Sequence, residues 1–346
     1  MTRARLLLCV LLLLSVETAR GQDDAADMFI LGHMQGQNIP GLSIAVVRDG
    51  QIVKARGYGL ADRRLKTPAT ADTVYKIASV SKQFIASGVM LLVQDGRIGL
   101  DDPISRYLQG TPRHWSDITI RHLLTHTSGL VREAPGFDPM KEQPDVEVVR
   151  TGYPLPLRFA PGEKYDYGNV NYFALAEVIR LASRRPWPDF LRERIFAPLG
   201  MHTTWPTNAA PAATPRAAGY SDNDALRPAA EWRALRPSGA FYSTVLDLAR
   251  WDAALYGDTI LTAATREAMW APVALKDGSL SYYGFGWQLG RGTRKAVYHT
   301  GGMPGFNSAF ARYPDDRLTV IVLMNLDDVD MDVIFTGLAE LYLPDR

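Results

Sequence analysis

The sequence predicts an α/β protein of the α+β type, in which one antiparallel sheet is flanked by helices and split in sequence by a mostly helical lobe. Three observations carry this prediction. Apolar alternation on both sides of Asp49-Gly50 indicates an early hairpin. Helical patterns alternate with loops rich in Pro and Gly from about Asp101 to Ala240. Strand patterns then return toward the carboxyl terminus, so the strands at the two ends are expected to share one sheet.

The individual elements follow from hydrophobic periodicity and from turn residues. Helix 82–94 is expected to end at Asp95-Gly96, and helix 243–255 to begin with Ser243 or Thr244 as N-cap. The other expected helices are 173–183, 190–196 and 331–342. The expected strands are 42–47, 52–59, 283–289, 296–299, 307–313 and 318–325. These elements divide the chain into a sheet lobe of about 22–80 and 241–346 and a helical lobe of about 81–240.

The amino terminus has the pattern of a secretory signal. Arg3 and Arg5 precede the apolar run 6–14, and the small residues Ala19 and Gly21 suit a signal peptidase. A run of that length is too short to span a bilayer, which needs about 20 residues. We therefore expect a signal peptide over 1–21, a catalytic domain over 22–346, and an exported protein, periplasmic or secreted, without a stable membrane anchor.

Composition excludes several classes of function. Cys9 is the only cysteine and lies within the expected signal, so the exported chain has no disulfide, thiol nucleophile or Cys-ligated zinc. The 38 basic and 37 acidic residues are balanced and form no basic stripe, which argues against a nucleic-acid partner.

Ser79 and Lys82 form the most informative pair of residues. They stand three positions apart at the start of the apolar helix 82–94, so the two side chains share one face. An amine beside a serine hydroxyl can take its proton and activate it for acyl transfer. The alternative is a capping serine followed by a solvated lysine, so the interpretation of Ser79 as a nucleophile depends on companion motifs.

Two companion motifs are present. Tyr167-Gly168-Asn169 places a phenol and a carboxamide on alternate residues of an expected tight turn. A run of His, Thr and two Gly, 299–302, opens an expected strand whose glycines let a substrate backbone approach the strand edge.

In order and rough spacing, S-x-x-K, Y-x-N and H-T-G make this sequence resemble the serine β-lactamase and penicillin-binding protein superfamily. The similarity is to the class C-like branch, which also includes esterases and D-peptidases, and it extends to ITIRHLLTHTSGL at 118–130 and PGEKYDYGNVNY at 161–172. The resemblance implies a β-lactamase/transpeptidase-like fold with the active-site cleft between the two lobes. It also implies a hydrolase that uses no cofactor.

The resemblance implies a role for each motif residue. Ser79 is the acylated nucleophile, Lys82 its proton acceptor, and Tyr167 a second general base or the acid that protonates the leaving group. Asn169, His299, Thr300 and Gly301 bind substrate, and Asn169 also helps to hold Lys82. The backbone N–H groups of Ser79 and Gly302 form the oxyanion hole.

His299 departs from the lysine that β-lactamases of this branch usually carry. Lysine is a permanent cation that reads a substrate carboxylate, whereas histidine is mostly neutral at pH 7. We therefore favour an esterase or a D-amino-acid-directed amidase or peptidase, acting on a small-molecule, ester or peptide substrate. The alternatives are a β-lactamase or D,D-carboxypeptidase and, less favoured, a non-catalytic peptidoglycan-binding or sensor protein.

His122 and His126 stand four apart, as two zinc ligands on one helix can. No glutamate follows His122 and no third ligand is evident in the sequence nearby, so we predict no metal site and expect a helix end that caps the following loop.

Overall fold

The computed structural model describes residues 24–141, 143–207, 215–222, 224–230, 232, 237–239 and 241–344. The expected signal peptide, 1–21, lies outside these residues. Within them, no helix has both the length and the apolar character needed to cross a membrane.

Helices occur along the whole of the described chain and are the main regular structure in its middle. They are α1 (24–36), α2 (Lys82–Gln94), α3 (Ile120–Leu124), α4 (Asp145–Arg150), α5 (Asn169–Ser183), α6 (Trp187–Leu191), α7 (Val245–Ala254), α8 (Ala263–Met269) and α9 (Met331–Glu340). Short 3₁₀ turns cover Ala78–Ser81, Ile104–Arg106, Arg113–Trp115 and Pro314–Asp316, and a π-helical turn, Arg192–Phe196, continues α6.

The long strands lie near both ends of the described chain, and short strands pair with one another between them. They are β1 (Gly41–Arg48), β2 (Gln51–Asp62), β3 (Thr67–Pro68), β4 (Tyr75–Lys76), β5 (Trp205–Pro206), β6 (Tyr220–Ser221), β7 (Arg227–Pro228), β8 (Phe241–Ser243), β9 (Val273–Ala274), β10 (Leu280–Ser281), β11 (Gln288–Leu289), β12 (Val297–Met303), β13 (Phe306–Tyr313) and β14 (Leu318–Met324).

The main sheet has seven antiparallel strands in the order β11-β12-β13-β14-β1-β2-β3. The pairing of β1 with β14, in register from Leu42 with Met324 to Arg48 with Leu318, joins the two ends of the chain. The predicted fold class is therefore confirmed: an antiparallel sheet, flanked by helices, is interrupted in sequence by a mostly helical segment.

Hydrophobic cores cover both faces of the sheet. On the outer face, Ile30 of α1 and Ile334 of α9 belong to the core that includes Val322 of β14. On the inner face, Phe84 of α2 packs against Phe241 and against helical residues. The residues of α2 are buried from Lys82 to Leu92, on every side of the helix, as expected of a helix in the centre of a large domain. This burial fixes the nucleophile motif between the sheet and the helical lobe.

Three predicted boundaries were wrong in informative ways. The strand expected over 283–289 is only Gln288–Leu289, because Gly286 turns the backbone at φ +80° beside Lys82. A Cβ on Gly286 would lie 2.8 Å from the carbonyl oxygen of Lys82, so this close approach requires glycine. Helix α5 begins at Asn169, four residues before the predicted start. The strand expected over 296–299 continues to Met303.

Candidate functional site

Ser79 lies in the 3₁₀ turn that leads into α2, and several hydrogen bonds hold this turn. The Ile77 carbonyl accepts a hydrogen bond from Ser308 Oγ at 2.7 Å, which ties the turn to β13. Ser81 Oγ donates to the Ala78 carbonyl at 2.6 Å. Ala78 has φ +43°, a region that non-glycine residues seldom adopt. Ser79, the candidate nucleophile, is therefore half-buried. Hydrogen bonds hold its backbone in place, and the preceding residue has an unusual backbone conformation.

The Lys82 side chain is fully buried, and its amine contacts three oxygen atoms. Nζ lies 3.2 Å from Ser79 Oγ, 3.0 Å from Asn169 Oδ1 and 2.6 Å from the Ser238 carbonyl oxygen. The amide and carbonyl oxygens act only as acceptors, so they can take two N–H groups of a neutral amine. The lone pair of that amine is then available to the Ser79 hydroxyl.

Tyr167 covers the other side of the amine. The centre of its ring lies 4.7 Å from Lys82 Nζ, and the ring of the buried Tyr172 lies 5.4 Å away. Aromatic faces at these distances attract a cation, so they favour the protonated amine. The structure thus brings together Ser79, Lys82, Tyr167 and Asn169, as the sequence predicted.

Asn169 is the first residue of α5 rather than part of a tight turn, and Gly168 is the N-cap of the helix. Its backbone N–H donates to the Arg132 carbonyl at 2.7 Å. Its side chain bridges two groups: Oδ1 accepts from Lys82, and Nδ2 donates to the carboxylate of Glu133. The amide orientation is therefore set by the Lys82 amine on one side and the Glu133 carboxylate on the other.

Glu133 is a site residue that sequence analysis missed. It is an exposed residue in a loop and belongs to none of the three motifs, so no sequence pattern marks it. In the structure its carboxylate contacts Asn169, which in turn contacts Lys82. Arg132, its neighbour in sequence, donates from Nε to the Tyr167 carbonyl at 2.9 Å.

His299 is only 2% exposed, and protein groups occupy both ring nitrogens. Nδ1 lies 2.6 Å from the Thr300 carbonyl oxygen, which can only accept, so Nδ1 carries the proton. Nε2, 2.9 Å from the Tyr283 hydroxyl, must then accept from it. Burial, together with the charge of Lys82, lowers the pKa of His299 to about 3. The ring is therefore neutral, as predicted at pH 7, and its hydrogen bonds are made within the protein.

The rest of the third motif lies along β12, beside the 3₁₀ turn that contains Ser79. A Cβ on Gly301 would lie 2.7 Å from the Ile77 carbonyl oxygen and 2.8 Å from the Ser79 nitrogen, so only glycine allows this packing. Thr300 is half-buried and Gly302 is exposed. Strand β11 pairs with only the first two residues of β12. Beyond them, no strand in the described part of the chain pairs with that edge.

His126, considered with His122 as a metal pair, is instead a buried neighbour of Tyr167. Its ring centre lies 4.4 Å from that of Tyr167, and Nδ1 accepts from the Gly168 N–H at 3.3 Å. Burial and, to a lesser extent, the charge of Lys82 place the pKa of His126 well below its ordinary value. His122 forms a capping box with Thr119 at the start of α3. Among the described residues, no three metal-ligating side chains cluster.

Comparison with known proteins gives consistent matches over nearly the whole described chain. A profile of the family described as Beta-lactamase matches residues 26–342. Penicillin-binding protein 4* of Bacillus subtilis is 33% identical over 314 residues, which are 83% of this chain and 68% of that protein. D-Aminopeptidase of Brucella anthropi is 28% identical over 326 residues, which are 90% of this chain and 61% of that protein. The chain therefore spans less than two thirds of the length of D-aminopeptidase.

Solved structures agree with these matches. An octameric penicillin-binding protein homologue from Pyrococcus abyssi has a TM-score of 0.80 and 25% identity, with 92% of this chain and 77% of that chain covered. D-Amino acid amidase from Ochrobactrum anthropi SV3, complexed with L-phenylalanine amide, has a TM-score of 0.77 and 27% identity, with 93% and 96% covered.

We expect the buried histidines to make the folded state sensitive to acid. His299 and His126 have lowered pKa values when folded, and unfolding restores an ordinary pKa of about 6.5. Between about pH 6.5 and about pH 3, the unfolded chain therefore binds a proton at His299 that the folded chain does not, and stability falls as pH falls. Above about pH 6.5 this contribution is constant.

Urea unfolding between about pH 7.5 and pH 5 measures the effect. His299→Asn, which keeps a donor and an acceptor, should reduce the pH slope of the free energy of unfolding by up to about 1.4 kcal/mol per pH unit. The same substitution at an exposed position, His114→Asn, provides the control. Equal slopes in wild type and His299→Asn would show that the folded protein protonates His299 normally.

Proposed function

This chain belongs to the β-lactamase family, as its three motifs predicted, and we propose that it is a serine hydrolase that forms an acyl-enzyme on Ser79. We further propose that its substrates are amides or esters of D-amino acids, or simple esters, rather than β-lactams. Two observations carry the choice of substrate: the third motif supplies a buried, neutral His299, and Glu133 brings a carboxylate to Asn169.

The chemistry follows from the contacts of Lys82. Ser79 Oγ attacks the carbonyl carbon of the substrate while its proton passes to the neutral Lys82 amine, 3.2 Å away. The leaving amine or alcohol takes up a proton from Lys82 or Tyr167 as its bond to the acyl carbon breaks. Water then attacks the acyl-enzyme, loses a proton to the same groups and releases the acid, which regenerates Ser79. The Ser79 and Gly302 backbone N–H groups stabilise the oxyanion in both steps.

The charges around the cleft favour substrates with an amine. A fixed cation at the third motif would attract a substrate carboxylate, but His299 is neutral and makes its hydrogen bonds within the protein. The Glu133 carboxylate can instead pair with the free ammonium group of an amino-acid amide or ester. The names of two relatives, D-aminopeptidase and D-amino acid amidase, support this substrate class.

A β-lactamase or D,D-carboxypeptidase is the second candidate, supported by the match to Penicillin-binding protein 4*. In that case the exposed Arg132, beside Tyr167, is the cation that would read a carboxylate. A purely binding protein is disfavoured, because binding alone gives no reason to bury an amine against a serine hydroxyl.

The nucleophile assignment predicts covalent labelling. A fluorophosphonate should add one equivalent of its phosphonyl group to Ser79, with loss of fluoride, because the adjacent amine can accept the hydroxyl proton. Intact-mass spectrometry and peptide mapping measure this. Ser79→Ala should abolish labelling, while Ser116→Ala, at an exposed serine, should label fully. Modification of a different serine would contradict the assignment.

The substrate assignment predicts a selective loss on neutralising Glu133. D-Alanine p-nitroanilide should lose about ten- to a hundredfold in kcat/KM in Glu133→Gln, because a charged hydrogen bond is worth about 1.5–3 kcal/mol. The N-acetylated substrate, which has no ammonium group, should lose much less. The exposed Glu147 on α4 serves as control, since Glu147→Gln should change neither.

The same assay separates the two candidates. Wild-type protein should hydrolyse amine-bearing substrates or short-chain p-nitrophenyl esters with higher kcat/KM than benzylpenicillin. A higher kcat/KM for benzylpenicillin than for every such substrate would instead support the lactamase candidate.

We also propose that the protein is exported, which rests on the sequence pattern of residues 1–21. Expressed with its leader in a bacterium, it should appear outside the cytoplasm with Gln22 as its new first residue. Amino-terminal sequencing of the exported protein measures this, and finding Met1 there would overturn the cleavage site.

A further inference from the structure

His126 lies beside the Y-x-N motif without belonging to it. Its side chain is fully buried, and its ring centre lies 4.4 Å from that of Tyr167. The acyl-transfer steps proposed for Ser79 do not use this histidine, and no cluster of metal-ligating side chains surrounds it among the described residues. Its contacts are instead with the segment that carries Tyr167.

Tyr167 stands on a stretch of backbone that has no regular secondary structure. Residues 164–168 form neither helix nor strand, and α5 begins only at Asn169. Such a stretch lacks the hydrogen bonds of a helix or a sheet. The position of Tyr167 therefore depends on contacts with other parts of the chain.

His126 supplies two of these contacts, one on each side of Tyr167. Its carbonyl oxygen accepts a hydrogen bond from the Asp166 N–H at 2.9 Å. Its Nδ1 accepts one from the Gly168 N–H at 3.3 Å. One residue thus holds the backbone immediately before and immediately after Tyr167, while its ring packs against the Tyr167 ring.

The backbone of His126 is itself in an unusual conformation. Its φ of +57° lies in the left-handed region, which residues other than glycine seldom adopt. Unfavourable conformations of this kind persist where surrounding contacts compensate for them, and they are enriched at functional sites. Asparagine adopts the left-handed region more readily than most residues, which makes it the conservative replacement here.

Neighbouring polar groups support the tautomer that the contact with Gly168 requires. A backbone N–H can only donate, so Nδ1 of His126 carries a lone pair and Nε2 carries the proton. Nε2 has no hydrogen-bond partner among the described residues, so Nδ1 makes the polar contacts of the ring. Asn171 Nδ2 lies 3.2 Å from Nδ1 and donates to the Gly168 carbonyl at 3.1 Å. Ser128 Oγ donates to Asn171 Oδ1 and so orients the amide.

We propose that His126 is a positioning residue for Tyr167. Its carbonyl oxygen and its Nδ1 fix the backbone on both sides of Tyr167, and they thereby hold the phenol ring 4.7 Å from Lys82 Nζ. This role rests on the proposed function, in which Tyr167 passes a proton to the leaving group. His126 exchanges no proton in the reaction, and its Nδ1 acts only as a hydrogen-bond acceptor.

Two amide substitutions test the role of Nδ1. His126→Asn places an acceptor oxygen close to the position of Nδ1, whereas the oxygen of His126→Gln lies one bond farther from the backbone. The kcat/KM of each variant is measured for two esters of one acid. Ethyl butyrate releases an ethoxide that must gain a proton as it leaves, and p-nitrophenyl butyrate releases a phenolate that needs none.

His126→Gln should lower kcat/KM for ethyl butyrate by at least about tenfold more than for p-nitrophenyl butyrate, because general acid catalysis contributes about a hundred- to ten-thousandfold. Tyr167→Phe should change the ratio of the two esters in the same direction. His126→Asn should keep this ratio within about threefold of the wild-type ratio, as should the control His202→Gln at an exposed position. Equal losses on both esters in His126→Gln would indicate a packing role and overturn the proposal.

A double-mutant cycle separates this role from the proposed function. If His126 acts through Tyr167, His126→Gln should lower kcat/KM for ethyl butyrate less than about threefold in the Tyr167→Phe background. An equally large loss in both backgrounds would contradict the positioning role and leave the role of Tyr167 intact. If Tyr167→Phe is as active as wild type on both esters, Tyr167 has no part in acyl transfer, and both assignments are wrong.

Urea unfolding of each variant gives the folded fraction, and rates are compared per folded protein. If His126→Gln does not fold, His126→Phe takes its place in both experiments, because it also lacks the acceptor and keeps an aromatic ring against Tyr167.

Discussion

The buried amine of Lys82 is the group on which the rest of the site depends. Its three oxygen partners come from segments far apart in sequence: the 3₁₀ turn at Ser79, the start of α5 at Asn169, and Ser238. An amine removed from water is tolerated only when it keeps such partners, since its desolvation is otherwise very costly. The helical segment and the sheet therefore have to meet at this point, and folding itself sets the geometry of the cleft.

The sequence predicted much of the fold because the determining signals are local. Helix α2 runs from Lys82 to Gln94 as predicted, since its apolar residues and the following Asp95-Gly96 define both ends. The Asp49-Gly50 turn joins β1 and β2 as expected, with both residues at positive φ. The meeting of Ser79, Lys82, Tyr167 and Asn169 could also be predicted, because the spacing within the motifs and the order of the motifs reflect the architecture of the family.

The rest depended on contacts between distant segments, which local patterns do not contain. Gly286 turns the backbone and interrupts a predicted strand at its close approach to the Lys82 carbonyl, a contact between distant segments. His126 had the spacing of a metal ligand, but its burial beside Tyr167 is a tertiary effect. Glu133 is one acidic residue in a loop, and its contact with Asn169 joins positions 36 residues apart. Sequence reasoning therefore identified candidate reactive groups that the structure brings together, and it missed Glu133 beside them.

The pairing of β1 with β14 has a consequence for how the chain folds. These two strands lie side by side in the sheet, although Leu42 and Met324 stand at opposite ends of the sequence. The sheet cannot be completed until nearly the whole chain has been synthesised. Until then, α1 and α9 cannot pack together in the core on the outer face of the sheet. Contacts of such long range make folding slow, because a large loop must close before they contribute. The chain should thus remain unfolded for a long time after synthesis begins. An unfolded chain can still pass through a narrow channel.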